Sequence, residues 1–117
     1  MINGKKIIVV LPAYNAEKTL VRTVQEVPFG VVDQILLVDD KSSDKTVVIA
    51  KRLSLEVFLH NENLGYGGNQ KTCYHEAIRR DADVIVMLHP DYQYEPKLIL
   101  GMVAPICYGI YDVMLGS

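Results

Sequence analysis

The chain has 117 residues, a formal net charge of −2, half of its residues hydrophobic and about a fifth charged. This length supports one domain with a proper core. The composition excludes a disordered chain, and the charge gives no electrostatic basis for nucleic-acid binding. Two cysteines, Cys73 and Cys107, lie far apart without CxxC spacing, and read as buried thiols of a reducing compartment.

Residues 6–11 (KIIVVL) read as a first strand, apolar on both faces, stopped by a turn at Pro12, Ala13, Tyr14 and Asn15. Asn15 is the expected N-cap of a helix over 16–27, with Glu17 in its first turn and Leu20, Val24 and Val27 as a buried stripe. Residues 34–38 (QILLV) form a second strand ending in Asp39 and Asp40. Ser42 or Ser43 would then cap a helix reaching about residue 53. A short third strand, 56–59 (EVFL), runs into a polar, glycine-rich loop over 60–70, and a helix over 69–80 follows.

The fourth strand, 84–88 (VIVML), stops at His89, Pro90, Asp91 and Gln93. Residues 98–111 (LILGMVAPICYGIY) carry no charge, yet they are too few to span a bilayer and are interrupted by Gly101, Pro105 and Gly109. They read as a buried helix, with Pro96 at its start and a further strand beginning at about 111. Strands alternating with helices imply an α/β, doubly wound, mainly parallel sheet with right-handed crossovers. In such a sheet the polar clusters all fall at strand carboxyl ends, where ligands bind.

That edge offers carboxylates (Asp39, Asp40, Asp91), an amide (Gln93), a ring surface (Tyr14) and glycines (Gly65, Gly67, Gly68) that permit close backbone approach. No GxGxxG follows the first strand and no GxxxxGK[ST] occurs, which disfavours a dinucleotide fold and a P-loop. Acidic groups need a divalent ion to hold a phosphorylated ligand, and they suit base N–H groups and ribose hydroxyls. A nucleoside diphosphate with Mg²⁺ or Mn²⁺ fits this inventory. The plainer alternatives are that Asp39 and Asp40 merely end a strand and cap a helix, that His89 is a turn residue, and that the glycines form a flexible turn.

In their order and spacing, VVLPAYNAEKTL, LLVDDKSSDKT, NENLGYGGNQKT and LHPDYQY resemble the nucleotide-sugar-binding part of family 2 glycosyltransferases of the GT-A fold, on the branch with polyprenyl-phosphate sugar synthases. The resemblance covers essentially residues 1–117. It implies that Pro12, Tyr14 and Glu17 line the base and ribose pocket, that Asp39 and Asp40 hold base and ribose, and that Asp91 contacts the nucleotide. It places a metal on Asp91, Gln93 and His89, with His89 standing where relatives have an aspartate, and Lys41 where they have glycine. The implied chemistry is inverting, metal-dependent transfer from a UDP- or GDP-sugar to an acceptor such as a polyprenyl phosphate, in the cytoplasm or at the cytoplasmic membrane face.

Family enzymes continue beyond residue 117 with the catalytic base and most of the acceptor site. The expectation is therefore a truncated chain that binds donor, contains no assignable base, and has an exposed edge favouring self-association. Two other classes compete: a non-catalytic nucleotide-sugar-binding or assembly module, and a receiver-like Mg²⁺-binding signalling domain. The receiver places its acidic pair after the first strand, which here ends in Pro-Ala-Tyr-Asn.

Overall fold

The computed structural model describes residues 4–28 and 30–90, and the backbone of 112–115. Five strands, β1 (Ile7–Ala13), β2 (Gln34–Asp39), β3 (Glu56–Leu59), β4 (Val84–Met87) and β5 (Asp112–Leu115), form one sheet in the order β3-β2-β1-β4-β5. The first four are mutually parallel and β5 is antiparallel to β4. The helices are α1 (Leu20–Gln25), α2 (Thr46–Arg52) and α3 (Gly65–Arg79). The expected doubly wound, mainly parallel sheet is what the chain forms. The helix expected over 98–111 and Cys107 lie outside the described residues.

Every residue of β1 is buried because helices cover both faces of the sheet. The strand's odd positions (Ile7, Val9, Leu11, Ala13) pack with Leu20, Val24 and Ala50 from α1 and α2. Its even positions Ile8 and Val10 pack with Cys73 and Ala77 of α3. Burial pushes the Cys73 thiol up to about 12, so it is an inert core group. At the amino ends, Asp33 and Asp83 close the sheet: their carboxylates accept the N–H groups of Ile7 and Lys6, each at 2.7 Å.

Element boundaries differ from the sequence expectation in four places. β1 continues through Pro12 instead of turning there. Val10 accepts the Leu88 N–H and Ala13 accepts the Asp40 N–H, so even positions of β1 face β4 and odd positions face β2. The donor that Pro12 lacks therefore falls on the β4 side. There the ladder has already stopped at Val10↔Met87, while that with β2 continues to Ala13↔Asp39. The first helix begins at Leu20, with Thr19 at its N-cap, because Asn15 is in the left-handed region (φ 51°) and bonded elsewhere.

The second helix begins at Thr46, and neither Ser42 nor Ser43 caps it; Asp44 accepts the Thr46 N–H at 2.9 Å instead. The third helix starts at Gly65, so Gly67 and Gly68 lie in its first turn and not in a loop. A Cβ on Gly68 would meet the Leu64 Cβ at 2.7 Å, which requires glycine there.

α2 and α3 end in the same way. Ser54 (φ 61°) donates to the Lys51 carbonyl and Leu55 to that of Ala50, and Asp81 (φ 62°) and Ala82 repeat the pattern with Ile78 and Ala77. These are Schellman ends with non-glycine residues in the left-handed position. Ser54→Gly is expected to stabilise the protein by about 0.5–1 kcal/mol, read as a higher urea midpoint with unchanged slope.

Candidate functional site

Because β1 to β4 are parallel, their carboxyl ends share one edge, and the strand order reverses between β1 and β4. A crevice at this switch point is where open α/β sheets bind ligands. A cavity of about 500 Å³ lies there, lined by Pro12, Tyr14, Glu17, Asp44, Tyr66 and His89 among others. A smaller cavity of about 220 Å³ adjoins it, bordered by Asp40, Asn63 and Asn69 and sharing Pro12, Tyr14 and Tyr66 with the first. Tyr14 and Tyr66 are 56% and 55% exposed, so two half-bare rings stand between the two spaces.

The larger cavity's wall is a pair of interlocked loops. The Asp39 carboxylate is buried and accepts both the N–H (2.9 Å) and the hydroxyl (2.6 Å) of Ser42. The Ser42 Oγ in turn accepts the Asn15 N–H at 2.8 Å, and Asn15 Oδ1 accepts the Ser43 N–H at 2.9 Å. One residue further, Ala16 donates to Thr46 Oγ1 (2.8 Å) and Glu17 to Asp44 Oδ2 (3.2 Å). The amides that would have opened an earlier helix are therefore taken by the loop before α2. Burial pushes the Asp44 carboxyl up, but the Thr46 hydroxyl and N–H and the Glu17 N–H outweigh it and hold the group below its usual range. Lys41, at φ 63°, occupies the left-handed position in this loop.

Asp40 organises the second wall. Its Oδ1 accepts the Leu64 N–H at 2.7 Å and meets His60 Nδ1 at 2.9 Å, while Oδ2 accepts the Gly65 N–H at 3.0 Å. The carboxylate thus sits on the amino end of α3, where free N–H groups and the helix dipole favour negative charge. His60 Nε2 contacts Thr72 Oγ1 at 2.8 Å, and that hydroxyl also donates to the Gly68 carbonyl at 3.1 Å. Inside the same turn, Asn69 Nδ2 donates to the buried Val38 carbonyl at 3.1 Å. Burial pushes the Asp40 carboxyl up, yet the Leu64 N–H, His60 and the Gly65 N–H together hold it low.

The sequence-derived residues therefore divide. Pro12, Tyr14, Glu17 and His89 meet at the larger cavity, and Asp40 lines the smaller one. Asp39 borders neither, acting on the site through Ser42 and Asn15. Asp91 and Gln93 lie outside the described residues. Among the described residues, no three His, Cys, Asp or Glu side chains converge as a metal site, and no helix is long and apolar enough to cross a membrane. Sequence reasoning missed Asp44, His60 and Tyr66. Only Asp44 carried a usable signal, an aspartate two residues before a helix.

The fold and cleft define the class: an α/β domain with a built ligand crevice at its switch point. The chain belongs to glycosyl transferase family 2, whose model matches residues 8–117. It is 35% identical over 116 residues to the uncharacterized protein MJ1222 of Methanocaldococcus jannaschii, covering 99% of this chain and 48% of that protein. It is 30% identical to the UDP-N-acetylglucosamine–dolichyl-phosphate N-acetylglucosaminyltransferase of Methanococcus voltae, covering 97% of this chain and 52% of that enzyme.

The chain thus spans about half the length of the curated relatives it matches. The GT-A fold is shared with glucosyl-3-phosphoglycerate synthase of Mycobacterium tuberculosis, solved with Mn²⁺, UDP and phosphoglyceric acid. The TM-score is 0.73 at 25% identity, over 92% of this chain and 40% of that one.

Asp40→Asn is expected to lower stability by about 2 kcal/mol at neutral pH, since it removes a charged acceptor from two helix-end amides and from His60. With its folded-state pKa depressed, Asp40 gives stability that is full above the ordinary carboxylate value of 3.8 and is lost as pH falls below it. Urea unfolding from pH 7 to pH 2.5 should show a shallower acid decline in the variant.

Proposed function

We propose that this chain is the donor-binding part of an inverting, metal-dependent glycosyltransferase that moves a sugar from a nucleoside diphosphate to an acceptor. The observation that carries this reading is the cavity between the carboxyl ends of β1 and β4, walled by Pro12, Tyr14, Glu17 and His89. Tyr14 offers a flat, half-exposed face for a base, and Glu17 a carboxylate for base or ribose donors. Asp40 borders the adjoining space on the ribose side, and Asp39 holds Ser42, whose hydroxyl oxygen accepts the N–H of Asn15 in the wall of the larger cavity. Uridine is the favoured base, because the M. voltae enzyme is named for a UDP-sugar and the mycobacterial synthase was solved with UDP.

A divalent cation, Mg²⁺ or Mn²⁺, would be held by Asp91 and Gln93, in the stretch directly after Pro90. Oxygen donors of this kind suit either ion, with the diphosphate and water completing its shell. When bound, the ion would neutralise charge developing on the departing diphosphate. The protein's own contribution at this edge is positional: Thr19 donates its hydroxyl to the Pro90 carbonyl, which ties Pro90 to the α1 side of the cleft.

The acceptor in this reading is a phosphate or hydroxyl approaching opposite the diphosphate, with dolichyl phosphate in the M. voltae enzyme as the precedent for a lipid carrier. A second reading is a module that binds nucleotide-sugar without turning it over. Release of UDP in the presence of polyprenyl phosphate separates the two.

Calorimetric titration with UDP and GDP, each with Mn²⁺ and again with chelator, tests the donor site. UDP is expected to bind only with metal, and Asp91→Ala to lose that binding at least about tenfold. Equal binding with chelator, or none in the wild type, would overturn the reading.

A further inference from the structure

The segment after β1 is fastened to the loop before α2 almost residue by residue. Ala13 accepts the Asp40 N–H at 2.9 Å, and Asn15 donates its own N–H to Ser42 Oγ at 2.8 Å. Ala16 and Glu17 donate theirs to Thr46 Oγ1 and Asp44 Oδ2. Tyr14 stands inside this row and lines both cavities. It is 56% exposed, so packing leaves the direction of its ring to the backbone that carries it.

Asn15 is the pivot of that backbone. Its φ of 51° lies in the left-handed region, which asparagine tolerates better than most residues because its short amide can bond locally. Here Asn15 Oδ1 accepts the Ser43 N–H at 2.9 Å. The directions follow from the atoms: main-chain N–H groups only donate, and a carboxylate only accepts. Ser42 Oγ therefore receives the Asn15 N–H and gives its one proton to Asp39 Oδ1 at 2.6 Å. Asn15 is thus held by its backbone and by its side chain.

We infer that Asn15 is a positioning residue for Tyr14: held in the left-handed region by Ser42 and Ser43, it fixes the ring that forms the flat wall of the crevice. The ligand in this inference, a nucleotide base lying on that ring, rests on the donor-site reading; the positioning rests on the hydrogen bonds. Ser42 and Asp39 act on the same ring from one and two hydrogen bonds further back. This departs from the resemblance, in which Asp39 holds base or ribose. Asp39 is only 2% exposed, and Ser42 engages both of its oxygens.

The first test reads the ring without ligand. Three-bond NMR couplings report χ1 of Tyr14, assigned by the signals missing in Tyr14→Phe. The expected result is one dominant rotamer in the wild type and averaging in Asn15→Ala, with the melting transition kept. Ser42→Ala, which removes one link only, is expected to do the same and decides the matter if Asn15→Ala does not fold. Asn15→Asp keeps the acceptor and tolerates the same φ, so it should retain the single rotamer. An averaged ring in the wild type or in Asn15→Asp, or a single rotamer in the folded alanine variants, would overturn the positioning.

The second test is calorimetric titration with UDP and Mn²⁺. Asn15→Ala should weaken binding roughly tenfold, and Asn15→Asp by less than about threefold at an ionic strength that screens its added charge. In a Tyr14→Ala background, Asn15→Ala should cost almost nothing, because the two residues act as a unit. A full cost in that background means that Asn15 acts on the ligand by itself, and that result, or unchanged affinity in Asn15→Ala, overturns the inference. If the wild type binds no UDP while the ring couplings respond as expected, the donor-site reading fails and the positioning of Tyr14 stands.

Discussion

One buried carboxylate decides how the binding edge is assembled. Asp40 comes directly off the end of β2 and accepts the N–H groups of Leu64 and Gly65, the first donors of α3. A charge buried among helix-end amides is stable only while those amides stay in place. The interaction therefore works in both directions: the carboxylate starts the helix, and the helix end justifies the buried charge. His60 and Thr72 extend it along the outer side of α3, and Asn69 fastens the inner side to the Val38 carbonyl. Everything α3 contributes to the cleft, Tyr66 foremost, stands where it does because of this anchor.

The opposite wall obeys the same logic with a different carboxylate. Asp39 folds the chain back through Ser42, and Asn15 and Asp44 lock that turn against the segment after β1. Adjacent aspartates thus point their hydrogen bonding to opposite walls of one crevice. In a strand, successive side chains leave on opposite faces, and the pair at the end of β2 inherits that alternation.

The sheet was legible in the sequence because its signal is local. Residues 6–11, 34–38, 56–59 and 84–88 are short apolar runs bounded by polar residues, and each became a strand of nearly the expected extent. Helix starts were much less legible. GYGG has poor intrinsic helix propensity, so a reading by composition assigns it to a loop. It becomes the first turn of α3 because Asp40, far away in sequence, supplies the missing acceptors.

Asn15 failed as a cap for the mirror reason: its side chain found a better partner in the neighbouring loop than in its own chain downstream. The candidate site was visible as a set of residue types at strand ends, and Pro12, Tyr14, Glu17 and His89 line one cavity there. Contacts that only tertiary folding creates, such as those of Tyr66 and Gln70 with β4, leave no mark in a single sequence.

The way β1 outruns β4 separates the cleft's shape from its chemistry. The opening exists because one ladder stops at Met87 while the other continues to Asp39, with a proline at the step where no donor is needed. That geometry belongs to the main chain and to residues sealed in the core. The groups facing the opening come instead from the chain just beyond β1 and β4 and from the tip of α3. Side chains at that rim can be exchanged without reshaping the floor beneath them. A single backbone plan of this kind can present different polar groups to different ligands at little risk to folding.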